Sequence, residues 1–420
     1  MSDIYLSGSR DTVAGSRQFD TTWILSLCGT AIGAGVFFLP ISAGAGGFWP
    51  LVVATVIVGP VVWLAHRGLA RFVLSSKEPG CDLTAVAEEH FGAAAGMLIT
   101  LLYFLAVYPL LLIYGVGLTN TVNGLLVSLP GMPPVPRPLL ALIVIVVLMS
   151  VVLARETVML KVTGLLVYPL VGILVFLSLC LIPHWSRAAL TVIPGIRDFT
   201  TTLWLALPVL VLSFNHSPAI SAFALALQRE YGAQAEQKAS QILCKTAAVL
   251  LVFVMLFVFS CVLAVTPQDL ARAKGLNISM LSCLANKFNN PLLALSGPLA
   301  VILALSSSFF GYYLGAREGL QGLVKKMARH QGKSVDPRKL NIGIAVFFLV
   351  TLWAVATLNP GIPGMAEVPG GLVILVILFM MPVYAIRRVP AMAGYAGRRS
   401  NVFITLAGGV AILAMVCSLW

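Results

Sequence analysis

Long apolar runs separated by short polar turns set the pattern of this chain. Eleven of them read as membrane spans: 20–42, 48–73, 94–125, 138–154, 158–182, 199–227, 242–266, 291–316, 340–358, 370–387 and 400–420. A helix needs about 20 apolar residues to cross a hydrocarbon core, with latitude for tilt. Turn residues mark the breaks: Gly46-Gly47 after the first run, Pro130-Gly131-Met132-Pro133-Pro134 after the third, Asn359-Pro360-Gly361 after the ninth. Two connections are more than turns. Cys81–Phe91 alternates polar and apolar residues, as a short helix lying on a membrane surface does. Pro267–Asn290 reads as partly helical, over Asp269 to Lys274 and Ile278 to Lys287, either covering an external entrance or forming an inert loop.

Two spans are interrupted at mid-depth. In the first, Gly29-Thr30-Ala31-Ile32-Gly33-Ala34-Gly35-Val36-Phe37-Phe38-Leu39-Pro40 places Gly29, Gly33 and Gly35 where a lipid-facing helix favours Leu or Ile. Backbone that leaves the helix inside a bilayer must be satisfied by protein, water or ligand. On its own the stretch serves equally as a close helix contact. The second interruption decides between these readings. Span six reads Leu207-Pro208-Val209-Leu210-Val211-Leu212-Ser213-Phe214-Asn215-His216-Ser217-Pro218-Ala219. Pro218 has no N–H to donate and disfavours the helical conformation of Ser217.

The interrupted spans are the first and the sixth, so the two halves run in opposite directions. Matching interruptions in inverted halves mark the midplane binding site of a secondary transporter. The expected fold is therefore an all-α integral membrane protein. It has a five-plus-five inverted repeat with broken helices 1 and 6, plus one extra C-terminal helix. The expected divisions are a tail over 1–19, a first repeat over 20–183, an external loop over 184–198, a second repeat over 199–388, and a loop with the eleventh helix over 389–420. Each break exposes an N–H end suited to a carboxylate and a carbonyl end suited to an ammonium or cation. A zwitterionic amino acid answers both. Ser213, Asn215, His216 and Ser217 add hydrogen-bonding groups for a small polar side chain.

Composition agrees with this picture. Of 420 residues 59% are hydrophobic and 10% charged, with a mean hydropathy of +0.97; soluble domains carry about 25% charged residues. The net charge of +12 belongs to topology. With a cytoplasmic N-terminus and an outside C-terminus, only Arg137, Arg187, Arg197, Arg272, Lys274 and Lys287 of the 27 Lys and Arg residues lie outside. The expected partners are thus a lipid bilayer and a small solute, and no nucleic acid. Seven cysteines show neither metal-type spacing nor a disulfide framework. No metal, cofactor or secretory signal is expected.

Three motifs resemble the bacterial hydroxy/aromatic amino acid permeases. They are Gly29 to Pro40, Ser213-Phe214-Asn215-His216-Ser217-Pro218-Ala219-Ile220-Ser221, and Ser308-Phe309-Phe310-Gly311-Tyr312-Tyr313-Leu314-Gly315-Ala316-Arg317-Glu318-Gly319. The second is similar to the serine/threonine branch. The resemblance implies a LeuT-type fold, a bacterial inner-membrane location, and uptake of serine or threonine by proton symport. A sodium-coupled or aromatic amino acid permease of the same fold is the alternative. It also implies a substrate site lined by Thr30, Ala31, Gly33, Ala34 and Gly35 of span one and by Ser213, Asn215, His216 and Ser217 of span six.

Coupling has several candidate groups. His216 is the histidine expected at mid-depth, either a proton carrier or a neutral structural ring; His66, His90, His184 and His330 are expected near span ends or in loops. Lys161 either snorkels to the interface or places its ammonium where sodium-coupled relatives hold the ion. Ser306, Ser307 and Ser308 either offer hydroxyls to a cation or promote packing. Tyr108 and Tyr114 flank Pro109, which does not say which of them turns inward. Arg317-Glu318 reads as a local ion pair or gate element. No span carries a channel's polar stripe. No nucleophile and base with an acidic partner stand together as an enzyme needs.

Overall fold

The computed structural model describes residues 3–44, 46–128, 133–276, 278–288, 291–360 and 367–418, which are helical without any strand. The first apolar run forms α1 (Asp3–Ala31), a 3-10 turn over Ala34–Phe37, and α2 (Leu39–Gly44). There follow α3 (Phe48–Leu74), α4 (Leu83–Phe91), α5 (Ala93–Ser128), α6 (Arg137–Leu153) and α7 (Glu156–Leu181). A short α8 (Ala188–Thr191) leads to α9 (Ile196–Ser213) and α10 (Ser217–Tyr231), the two parts of the sixth run. Next come α11 (Ala235–Ala264), α12 (Pro267–Gly275), α13 (Met280–Phe288), α14 (Pro291–His330) and α15 (Pro337–Leu358). The chain closes with α16 (Glu367–Leu375), a π-turn over Val376–Met380, α17 (Met381–Arg388) and α18 (Arg399–Cys417).

All eleven expected runs fall on helices. By length and composition, nine described helices are apolar enough to cross a membrane, or ten if the first pair, bent by 60°, is one span. That count takes α10 and α11 as one stretch, although a turn with Gly232 at φ 51° parts them. It leaves aside Arg137–Leu153, which is apolar but only 17 residues long. Of the expected turns, Gly47 takes φ 104° and Asn359 takes the left-handed conformation that ends α15. Pro130, Gly131, Met132 and Gly361 lie outside the described residues.

The central element is α14, which packs against α5, α7, α1 and α10. Its 40 residues make a rod of about 60 Å, roughly twice the hydrocarbon thickness. One end therefore projects from the bilayer with Lys325, Lys326 and Arg329 on it. Outward faces expose Val56, Leu165 and Leu406, as lipid contact requires. Inside, Thr100, Thr119, Thr163 and Ser178 are buried, each hydroxyl donating to the carbonyl four residues earlier, so these four pack without orphaned donors.

Both special connections are helical. Asp82 caps α4 by accepting from Ala85 N–H at 2.9 Å, and Gly92 at φ 84° ends it. α12 opens with a capping box between Thr266 and Asp269. Lys287 Nζ reaches back to Asp269 Oδ2 at 2.6 Å, and this contact together with the Thr266 N–H holds the Asp269 carboxyl down to about 2. The α12–α13 hairpin packs on α2, the second half of the first broken span.

Candidate substrate site

α1 stops at Ala31. Gly33 is extended, its N–H donating to Ala31 O at 2.8 Å, and the chain resumes as a 3-10 turn before α2. The sixth span breaks at Phe214–His216. Phe214 and Asn215 close the end of α9, and α10 starts at Ser217 with Pro218 in its first turn. The side chains at this break answer its backbone. Asn215 Oδ1 accepts from Ser217 N–H at 3.1 Å, and the His216 N–H donates to His66 Nε2 at 3.2 Å.

His66 corrects the sequence reading. Expected near a span end, it is instead fully buried on α3 and stacked on His216, with ring centroids 3.7 Å apart and planes 9° from parallel. Carbonyls only accept, so the 2.8 Å contact of His66 Nδ1 with Val62 O places the proton on Nδ1. Nε2 is then free to accept from His216. By the same reasoning His216 Nδ1 donates to Phe214 O at 3.0 Å. Its Nε2 is buried and has no hydrogen-bond partner among the described residues.

The two breaks meet. A Cβ built on Gly35 would stand 4.0 Å from Ser213 Oγ, and one on Gly33 would stand 3.1 Å from Ser308 Oγ and 3.4 Å from Tyr114 Oη. Tyr114 contacts Tyr312 edge to face at 5.0 Å, and Asn215 Nδ2 lies 3.4 Å from Tyr312 Oη. Tyr114 is thus the tyrosine that turns inward. Tyr108 instead bonds Thr351 at 2.6 Å and stacks on Phe104 and Phe348.

The remaining candidates divide. Ala31, Asn215, His216 and Ser217 are buried at the breaks, whereas the Ala34 side chain lies outside what is described. Thr30 donates to Ser26 O at 2.8 Å and fills the space over Gly311 of α14, so its side chain serves packing. Ser308 donates to Gly29 O at 3.0 Å and Ser307 to Ala304 O at 3.1 Å. Both are fully buried, and Ser306 nearly so. Lys161 does not join them. It is exposed on α7, while Met159, Leu160, Thr163, Gly164 and Val167 form the buried face. The ammonium therefore does not occupy an interior cation position.

Arg317-Glu318 is not an ion pair either. Arg317 turns to Asn341 at 3.3 Å, whereas Glu318 is buried and accepts from Leu83 N–H at 2.9 Å. Sequence reasoning passed over Tyr312, placed His66 near a span end, and read Glu318 only together with Arg317, as an ion pair or gate element. An ionisable residue inside span two was the signal for His66; Tyr312 and Glu318 lay within the third motif.

Two interrupted spans that meet at their breaks, inside a bundle of apolar helices, define a multi-pass membrane permease of the broken-helix type. The chain belongs to the tryptophan/tyrosine permease family, whose signature matches residues 21–418. It is 53% identical over 418 residues to the serine transporter SdaC of Escherichia coli (strain K12), covering 98% of this chain and 97% of that one. It is 38% identical over 442 residues to the threonine/serine transporter TdcC of Edwardsiella tarda, covering 99% and 100%. The crystal structure of a mutant manganese transporter from Eremococcus coleocola shares the fold, with TM-score 0.56 and 15% identity over 95% of this chain and 85% of that one.

Proposed function

We propose that this permease imports serine, with threonine as a second substrate, across the bacterial inner membrane in symport with protons. The observation that carries the site is the approach of Gly35 to Ser213, which brings the two breaks together. The chain's likeness to serine and threonine/serine transporters supports the substrate. At the sixth break the first N–H groups of α10 are already answered, by His66 and Asn215. The glycine turn over 33–35 is therefore the end that takes the substrate carboxylate. The carbonyls closing α1, from Thr30 and Ala31, take the ammonium, and Ser213, Asn215, His216 and Ser217 surround the side chain.

His216 is the proton carrier in this reading, since its buried Nε2 is a base without a partner among the described residues. In the sodium alternative, Ser306, Ser307, Ser308 and the carbonyl of Gly29 supply oxygens to the cation. The N-terminus is cytoplasmic and the C-terminus periplasmic, by the basic residues on the inner side. The inverted halves are 20–183 and 199–388, joined by 184–198 and followed by 389–420.

Equilibrium binding of labelled serine to the purified protein tests the site. Displacement by threonine but not by tryptophan is expected. Tryptophan displacing serine equally well would overturn the hydroxy amino acid reading in favour of an aromatic permease.

A further inference from the structure

Among the described residues no carboxylate lies at the breaks, but one is buried a short way inward. Glu318 sits on α14 with 9% exposure and accepts from the Leu83 N–H, which opens α4, at 2.9 Å. The Thr84 N–H bonds the same carboxyl. Ser221 Oγ of α10 accepts from the same Leu83 N–H at 3.0 Å and also bonds the carboxyl. One side chain thus ties the start of α4, the second half of the broken sixth span, and α14. The other end of α4 is held by the same helix: Glu88 meets Lys326 at 3.2 Å and Arg329 at 2.9 Å. Anion at the N-terminus and cations toward the C-terminus match the helix dipole.

The titratable groups that face Glu318 are Asp82 of α4 and Tyr103 of α5. Among the described residues no cation pairs with it. Arg317 is turned to Asn341, and Lys326 is engaged by Thr84 O, Gly96 O and Glu88. A buried carboxylate beside another carboxylate, without a counter-ion, has two stable forms. As an anion it is held by backbone N–H groups. As an acid it needs no counter-charge, and its remaining acceptor oxygen, now uncharged, holds those N–H groups more weakly.

We propose that Glu318 is a proton-binding site that latches the inner side of the permease, closed when the carboxylate is charged and released when it is protonated. The inference rests on the proton-symport reading. Ser221 lies about one helical turn beyond Ser217 at the break, so the latch adjoins the substrate site through α10. A proton arriving with substrate converts the carboxylate to the acid, and Leu83 and Thr84 lose their charged acceptor. α4 separates from α10, and the substrate path opens inward. Loss of the proton to water on the inner side restores the anion and the latch.

Amide hydrogen exchange over residues 83–91 in the full-length protein, corrected for intrinsic rates, tests this without relying on transport. Protection in the wild type should fall as pH falls, by up to about tenfold per pH unit below the latch's own midpoint. Glu318→Gln should show low protection with no pH response, while still exchanging serine across a membrane and failing to accumulate it from a pH gradient. Ser221→Ala keeps the carboxylate, so it should keep the pH response at lower overall protection. Protection independent of pH in the wild type, or a pH response retained in Glu318→Gln, would overturn the latch. Wild-type accumulation that follows sodium and ignores pH would instead overturn the symport reading, whatever the exchange over 83–91 shows.

Discussion

His66 and His216 stack face to face across 150 positions of sequence, and His66 accepts the backbone N–H from which α10 departs. An imidazole supplied by another span thus does at the break what an N-cap side chain does at an ordinary helix start. A buried N–H deprived of its acceptor costs about 1–3 kcal/mol. His66→Phe keeps the stacked ring but removes the acceptor. Its thermal unfolding midpoint should drop and serine uptake should fall about tenfold or more, since the break carries the site. Uptake and stability both at wild-type levels would show that the contact does not hold the break.

The glycines of the first span separate packing from binding. A Cβ on Gly29 meets Val167 at 2.8 Å and Thr163 at 2.9 Å, and one on Gly311 collides with Thr30. Gly29→Ala and Gly311→Ala should therefore lower stability by about 1–3 kcal/mol, as overpacking does, visible as less folded protein. A Cβ on Gly33 has Ser308 Oγ at 3.1 Å and Tyr114 Oη at 3.4 Å as its nearest neighbours, a looser fit than at Gly29. Gly33→Leu should insert in normal amount and abolish uptake, because the longer side chain enters the space assigned to the substrate carboxylate. Normal transport by Gly33→Leu would reduce the first break to a packing feature.

Lys161 sits on the exposed face of α7. Lys161→Ala should leave pH-driven serine accumulation within about twofold of wild type, as exposed substitutions away from special features usually do. Loss of accumulation with exchange intact would return the lysine to the coupling machinery.

The orientation has its own check. A reporter fused after Trp420, which lies outside the described residues, should behave as periplasmic, and one in the 331–336 connection between α14 and α15 as cytoplasmic. The reverse for both would invert the permease and place the Glu318 latch on the outer side.

Much of this was legible because it is local. Gly33, Gly35 and Pro218 act on their own backbone, so the two breaks could be placed from composition at single positions. Lys161 was left between the interface and an interior cation position, although the spacing of Met159, Leu160, Thr163, Gly164 and Val167 puts residue 161 on the other face. Arg317-Glu318 misled as neighbours. Adjacent residues on a helix point about 100° apart, so one faces Asn341 and the other the interior. The His66–His216 stack was beyond reach, because it depends on how α3 packs against the broken sixth span and no local pattern encodes that.

The most direct measurement is accumulation of labelled serine in proteoliposomes under a proton gradient alone and a sodium gradient alone, with wild type and His216→Gln side by side. The account predicts that wild type concentrates serine when only the proton gradient is present. It predicts that His216→Gln still exchanges serine but no longer concentrates it. Concentration driven by sodium and indifferent to pH, or full proton-driven concentration by His216→Gln, would contradict it.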